Sequence, residues 1–372
     1  MMKTTDVLVI GAGLAGWTAA DRILSESGLR VTIAFSGSGA SPYVHGFSYP
    51  IGPGDSKELL YEDTLRSGKD AGDPALVRAM AEETASLPAF FEELGLSPDE
   101  KDGTPVLLTS LGSSLPRIAL IGNDTGPSVL HALREKLRFS DRLTLLPGLR
   151  LMSFVKKGGT VRGAVFLDSD GRTETVLSRV TILAAGGYSA LYPVTTNGND
   201  LGGDALGAAL LAGAETVSLP FVQFEPCVSL FPEETRGKGM ITTLFFEGAV
   251  LRNRDGERFL RGSAFPDEER MDKDELSMAI SSEIRRTGGT PHGGVYFDAT
   301  GVPAEAFDGV YRPYLDRYLK YGIDLRNTPV EVAPAAHTSL GGLKITPDCR
   351  TSLPGLLSQR LSPETGQRFL RG

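Results

Sequence analysis

Cysteine is nearly absent from this chain: 372 residues hold two, Cys227 and Cys349. That is too few, and too widely spaced, for a disulfide framework or a cysteine-based zinc site, and it fits a reducing compartment. Histidine is sparse, with four residues, and none stands at metal-ligand spacing to another, so no metal site is expected. Basic charge is outnumbered: 38 Lys and Arg against 46 Asp and Glu give a net charge of −8. With no long basic block, nucleic acid is not expected as a partner. No apolar stretch is long enough to span a membrane. The apolar N-terminus reads as a strand and turn rather than a secretion signal, because Asp6 precedes the run, glycines interrupt it and Asp21-Arg22 follow. A soluble, cytoplasmic protein is expected. What remains is an ordinary globular composition, 41% hydrophobic and 23% charged, at a length suited to two domains or one large α/β domain with an insertion.

The densest signal is Gly11-Ala12-Gly13-Leu14-Ala15-Gly16. It follows the buried-strand run Val7-Leu8-Val9-Ile10 and opens a helix through Trp17 to Leu24, stopped near Gly28; a second strand follows at 30–35. Strand, G-x-G-x-x-G, helix and strand in this order are the context of a dinucleotide-binding turn. The first glycine allows the turn, the second admits a pyrophosphate to the backbone, and the third lets helix and strand pack. The helix N-terminus then offers N–H groups to the phosphates. The second strand should end in Asp or Glu to hold a ribose. Here it ends Ala34-Phe35-Ser36, so Ser36 is the candidate ribose contact.

Further along, Ser, Gly and Pro mark 36–58 as a long loop. Asp73-Pro74 opens a helix expected to run to about Leu94, ended by Gly95. Residues 98–116 read as loop, with a solvated charged stretch from Asp99 to Asp102. Asn123 to Gly126 introduces a helix to Leu137. Strands are expected at 151–155 and 161–167, joined by Lys156-Lys157-Gly158-Gly159, and at 180–184, ending in Ala185-Gly186-Gly187. An alanine-rich helix follows Gly203-Asp204. From about Leu219 to Val330 the βα rhythm stops, and charges cluster from Asp267 to Glu275, as in an inserted domain.

At Ala184-Ala185-Gly186-Gly187 the chain begins to resemble the flavoprotein subunits of succinate dehydrogenase and fumarate reductase, together with L-aspartate oxidase. The resemblance is carried by the N-terminal glycine motif, Glu62-Asp63-Thr64 with Gly68, Pro116-Arg117, Asp124-Thr125-Gly126 and Thr195-Thr196-Asn197. It continues through Gly203-Asp204, Gly213-Ala214-Glu215, Gln223-Phe224, Glu247-Gly248, Gly256 to Phe259, Pro334 to His337, Gly341-Gly342 and Arg350 to Leu356. It implies an α/β fold: a Rossmann-like FAD-binding domain, a parallel sheet with helices, interrupted by an α+β capping domain. The expected division is 1–218 and 332–372 for the FAD-binding domain and 219–331 for the cap. FAD is implied by the resemblance and by the Ala-Gly-Gly motif, which favour it over NAD. The implied cofactor contacts are Gly11, Ala12, Gly13, Ala15, Gly16, Ser36, Ala185, Gly186, Gly187, Asp204, Gly341 and Gly342. At the last two, side chains would collide with the flavin.

The same resemblance implies hydride exchange at flavin N5 with a small, anionic, carboxylate substrate, and an electron-transfer partner. His337 matches a family active-site histidine. The family's Gln-Phe-His-Pro is Gln223-Phe224-Glu225-Pro226 here, so Glu225 replaces an imidazole and repels an anion unless protonated or paired. An arginine expected in the Phe245 to Gly248 segment is missing, and Arg236 and Lys238 are candidate replacements or plain surface residues. The proton-donating arginine aligns with Lys273, which donates a proton without the planar fork that orients a carboxylate. The expected catalytic set is Lys273, His337 and Glu225. His45 is out of register with the family's flavin-linked histidine, so non-covalent FAD is expected; His131 and His292 read as ordinary surface residues. Beyond Leu356 the family's Ala-Gly-Glu segment is absent, and the residues to Gly372 suggest a frameshift or premature end. Two alternatives stay open: an amino-acid oxidase like L-aspartate oxidase, with Glu225 pairing a substrate amine, and an inactive truncated fragment.

Overall fold

The structure is a computed structural model, and it describes residues 2–358 except 111, 123 and 264–267. The altered C-terminal segment, Asn123 of the expected helix start and Asp267 of the charged cluster lie outside the described residues.

Strand β1 (Met2–Ile10) ends in four buried apolar residues, and such a run is stable only with both sheet faces covered. Helix α1 (Leu14–Glu26) carries the chain over one face to β2 (Val31–Phe35), parallel to β1. Four further strands complete the sheet: β3 (Leu143–Pro147), β4 (Arg150–Lys157), β5 (Thr160–Leu167) and β6 (Thr173–Leu183). The order is β3-β2-β1-β6-β5-β4, with a short strand, Leu356–Ser358, also parallel to β6. The sheet is parallel from β3 to β6 and antiparallel through β5 and β4. β6 is longer than its apolar run at 180–183: from Thr173 its alternating half pairs with the β5 hairpin, and its apolar half lies between β1 and Leu356–Ser358.

Helix α2 (Lys57–Ser67) is capped by the Ser56 hydroxyl. The helix expected from Pro74 to Leu94 is two helices, α3 (Pro74–Glu83) and α4 (Leu87–Glu93), with a 3-10 turn at Thr84–Ser86 between them. Pro88 is the cause: it has no N–H for the helical ladder, and its ring opposes the carbonyl four residues back. The stretch 98–116 is not wholly loop, since Glu100–Lys101 pairs with Thr104–Pro105 and Leu107–Leu108 pairs with Ile118–Ala119. Helices α5 (Thr125–Leu137) and α6 (Asp204–Leu211) follow.

A second sheet is built from β7 (Val222–Ser229), β8 (Val250–Arg252), β9 (Val295–Asp298) and β10 (Val330–Ser339), in the antiparallel order β7-β10-β9-β8. Helices α7 (Lys273–Thr287) and α8 (Arg312–Leu319) pack on it through Leu276, Ile280, Tyr314, Leu315 and Tyr318. The boundary placed at 331/332 cuts β10, which stays in this sheet to Ser339 opposite Val222. Composition changes there, but strand pairing does not, and register leaves no mark on composition.

Between the sheets, Arg117 is 1% exposed and joins three segments. Its Nε and Nη2 donate to both oxygens of Asp55, at 3.0 and 2.9 Å, and its Nη1 lies 2.8 Å from Asp63 Oδ2 on α2. Asp63 also accepts from the amide and hydroxyl of Ser114. Removing one member of such a buried set strands the others without water. We expect Arg117→Ala to lower stability by about 3–5 kcal/mol in denaturant titration, with Arg117→Lys intermediate.

Candidate functional site

The turn after β1 is set by close approach. Gly11 has φ +113°, and a Cβ there would lie 2.2 Å from the Ala184 carbonyl oxygen. A Cβ at Gly16 would lie 2.0 Å from the Gly11 oxygen, so helix and turn meet without side chains between them. Gly16 therefore serves packing. Helix α1 starts at Leu14 with no side-chain cap from Gly13, and the Leu14 amide donates to the Ser41 hydroxyl at 2.8 Å.

One pocket opens at this helix end. Gly11, Ala12, Gly13, Ala15, Ser36, Ala185, Gly186, Gly187 and Asp204 all line it, with Ser41, Arg150, Asp200 and Leu201. The donor set suits a dinucleotide: amides at a helix N-terminus for phosphates, and bare glycine backbone where they approach. Ser36 lines the pocket at the end of β2. Ser41 and Asp200 carry no motif that marks them for this site. Asp200 accepts from the Gly39 amide at 2.8 Å, and a Cβ at Gly37 would lie 2.1 Å from its carboxylate. Nothing in the spacing of residue 200 from residue 39 signals that contact.

Gly341 and Gly342 stand apart from the pocket. Gly342 pairs with Val217, and a Cβ at Gly341 would lie 2.2 Å from the Ser218 oxygen. The collision at 341 is thus with backbone, and nothing lies within 4 Å of a Cβ at 342. The link from the pocket to the second sheet is Ser339: its hydroxyl accepts from the Tyr188 amide at 3.3 Å and lies 2.1 Å from a Cβ at Gly187.

Two residues before Ser339 on β10 is His337. Its neighbour strand β7 carries Glu225 opposite Ala335, and α7 begins with Lys273. Lys273 Nζ donates to Glu225 Oε2 at 2.7 Å. Burial raises the Glu225 carboxyl, but the Lys273 ammonium, aided by His337 and His45, outweighs it and holds the group below its usual range. The pairing answers the expected repulsion of an anion. His337 Nδ1 lies 2.6 Å from Thr196 Oγ1, and the Asn197 amide donates to the His337 carbonyl oxygen. Desolvation lowers the imidazole to about 4 against the pull of Glu225, with Lys273 and His45 pushing the same way, so it is neutral.

The cluster has further members. His45 Nδ1 lies 3.4 Å from the hydroxyl of Tyr314 on α8. Desolvation, then Arg317 and Lys273, lower the His45 imidazole against Glu225 and Asp124. Burial pushes the Tyr314 phenol well above its ordinary value. Arg317 lies over the Tyr314 ring at 5.0 Å and donates to the Gly239 oxygen at 2.8 Å. No motif singles out Tyr314 or Arg317. Phe245, at the missing arginine, is 2% exposed and packs on Phe297 at 5.1 Å. Arg236 and Lys238 are exposed, with Lys238 5.8 Å from the Tyr43 ring. His131 is exposed. His292 is not an isolated surface residue: its Nδ1 lies 2.7 Å from Glu331, and its ring stacks on Phe231 at 4.5 Å. Among the described residues no group of three or more His, Cys, Asp or Glu is arranged to hold a metal, and no helix is long and apolar enough to cross a membrane.

Comparison with known proteins agrees with this geometry. Residues 6–358 match the family model described as FAD binding domain. The chain is 34% identical over 364 residues to the fumarate reductase (CoM/CoB) flavoprotein chain of Methanothermobacter marburgensis, covering 95% of this chain and 66% of that protein. It is 30% identical to L-aspartate oxidase of Caulobacter vibrioides, covering 96% and 70%. Among solved structures, Mycobacterium smegmatis Sdh1 superposes with a TM-score of 0.81 at 25% identity, over 96% of this chain and 63% of that one. A variant of Escherichia coli quinol fumarate reductase FrdA shares the fold, with a TM-score of 0.87 at 23% identity over 96% and 64%. The chain thus spans about two thirds of the length of such relatives. With its glycine turn, its Ala-Gly-Gly strand end and its match from residue 6 to 358, the chain belongs to the FAD-binding-domain family, and a CoM/CoB fumarate reductase and L-aspartate oxidase are among its homologues.

Proposed function

We propose that the chain forms the flavin and substrate sites of an oxidoreductase that exchanges hydride between non-covalently held FAD and a small carboxylate substrate. The observation behind this reading is the contact of Lys273, Glu225 and His337 beside a dinucleotide pocket. These residues come from α7, β7 and β10, and Ser339 ties the last strand to the pocket at Gly187. Gly13 and the α1 amides would hold the pyrophosphate, Ser36 the ribose, and Gly186 and Gly187 the approach toward the flavin ring. FAD, when bound, supplies a hydride acceptor or donor at N5.

The chain's own residues supply the rest. Lys273 holds a proton at Nζ within hydrogen-bond reach of Glu225, which returns a proton to it after transfer. His337 stays neutral, with Nδ1 engaged by Thr196, so its other nitrogen is left to a substrate oxygen. Phe245 and Phe297 back the cluster with apolar core, which strengthens each charge by excluding water. The reading includes an electron-transfer partner and a cytoplasmic location. An L-aspartate-oxidase-like reaction, in which Glu225 takes a substrate amine, is less favoured because Lys273 already engages Oε2.

Two measurements test this. Purified protein mixed with FAD and freed of excess should keep flavin absorption bands, and Lys273→Met should lower turnover of fumarate with a reduced dye by about 10²–10⁴-fold with KM little changed. A colourless protein, or a loss under about threefold, would overturn the reading. The second is pH. The folded His337 pKa is about 4 against 6.5 unfolded, so between those values the unfolded chain takes up a proton that the folded chain refuses. Stability therefore falls as pH drops through that window. Glu225, Lys273, His45 and Thr196 surround His337, and the lowered Glu225 carboxyl adds its own loss only below its ordinary 4.5. His337→Gln should flatten the decline in melting temperature from pH 7 to pH 5.

A further inference from the structure

We propose that Arg317 on α8, with the Tyr314 hydroxyl beside it, is the carboxylate anchor of the substrate site and determines its preference for anions. The inference rests on the proposed reading of the Lys273, Glu225 and His337 cluster as the reacting end of that site.

Lys273 is neutralised by Glu225 at 2.7 Å, so it adds little net attraction for an anion. Arg317 makes no ion pair among the described residues, although Arg312 and Asp316 on the same helix pair with each other at 2.8 Å. Its guanidinium donates from Nη1 to the Gly239 oxygen. A guanidinium carries five N–H donors in a planar fork, so that bond leaves most of the fork for a ligand, and a carboxylate is the group whose two oxygens match it.

The position of Arg317 fits the same role. Gly239 adjoins Glu225: a Cβ there would lie 4.0 Å from Glu225 Cγ. The Arg317 contact with the Gly239 oxygen therefore lies one residue away from the reacting cluster. On its other side the guanidinium covers the Tyr314 ring, whose hydroxyl reaches His45. His45 in turn belongs to the loop that begins at Ser36, in the dinucleotide pocket. Arg317 thus stands where the loop from the cofactor pocket meets the cap. The Tyr314 phenol, held neutral by burial, remains a hydrogen-bond donor.

Phe245, in the segment where an arginine is expected, is committed to the apolar core of the cap. The cation that segment lacks is supplied from α8. The ligand class is a small organic acid with a carboxylate two or three bonds from the reacting carbon.

The test uses the full chain loaded with FAD, in the oxidised state and without reductant, titrated with fumarate by calorimetry. Arg317→Gln should weaken fumarate binding by about 10–100-fold, the range for one charge-assisted hydrogen-bonded pair, with FAD affinity unchanged. In turnover the same variant should raise KM far more than it lowers kcat. Fumarate binding equal to wild type in Arg317→Gln would overturn the assignment while leaving the proposed function standing. Loss of FAD affinity together with fumarate binding would make Arg317 a structural residue and also overturn it. A wild-type protein that keeps FAD but binds no fumarate, succinate or aspartate would remove the proposed function and the anchor with it.

Discussion

Everything functional in this fold hangs on how closely β1 and β6 end beside each other. The two strands pair in parallel from Met2↔Thr175 to Ile10↔Leu183, and the turn after Ile10 lies against the Ala184 carbonyl with no room for a side chain. That contact aims α1 at the pocket and places the Ala-Gly-Gly turn opposite its N-terminus. The sheet is the rigid part, and the chemistry is left to its carboxyl edge, as open parallel sheets require.

The cap solves a different problem. A proton donor needs a partner that holds it in place and returns its proton, and a buried ammonium needs an opposite charge. β7 and α7 meet both needs at once by facing Glu225 with Lys273. The replacement of an imidazole by a carboxylate at 225 and of a guanidinium by an ammonium at 273 is then one change. Each residue makes sense only beside the other, since an unpaired Glu225 would repel a carboxylate substrate. His337, kept neutral by desolvation and held by Thr196 and Asn197, completes the cluster without adding charge. The net positive charge is left to Arg317.

Much of the nucleotide half is legible in the primary structure because it is local. Strand, glycine turn, helix and second strand all lie before Ser36, and the chemistry there belongs to the backbone, so glycine spacing reports it directly. The helix expected from Pro74 to Leu94 breaks at its middle, where Pro88 lies inside an otherwise helical pattern. β10 runs past the expected domain boundary because hydrogen-bond register carries no compositional mark. Ser41, Asp200, Tyr314 and Arg317 are invisible in the sequence for a related reason: each acts on a residue far away in the chain, as Tyr314 does on His45 across 269 positions.

Short motifs in a single order are enough to give the family, the dinucleotide turn and the residue types available for catalysis. They leave open which of those residues meet. Lys273 and Glu225 are 48 positions apart, and Thr196 and His337 are 141 apart. Their pairing depends on strand register and on how α7 and α8 lie across the second sheet. Those arrangements arise from the packing of whole elements, where the free energy is shared among many apolar contacts and no local pattern encodes it.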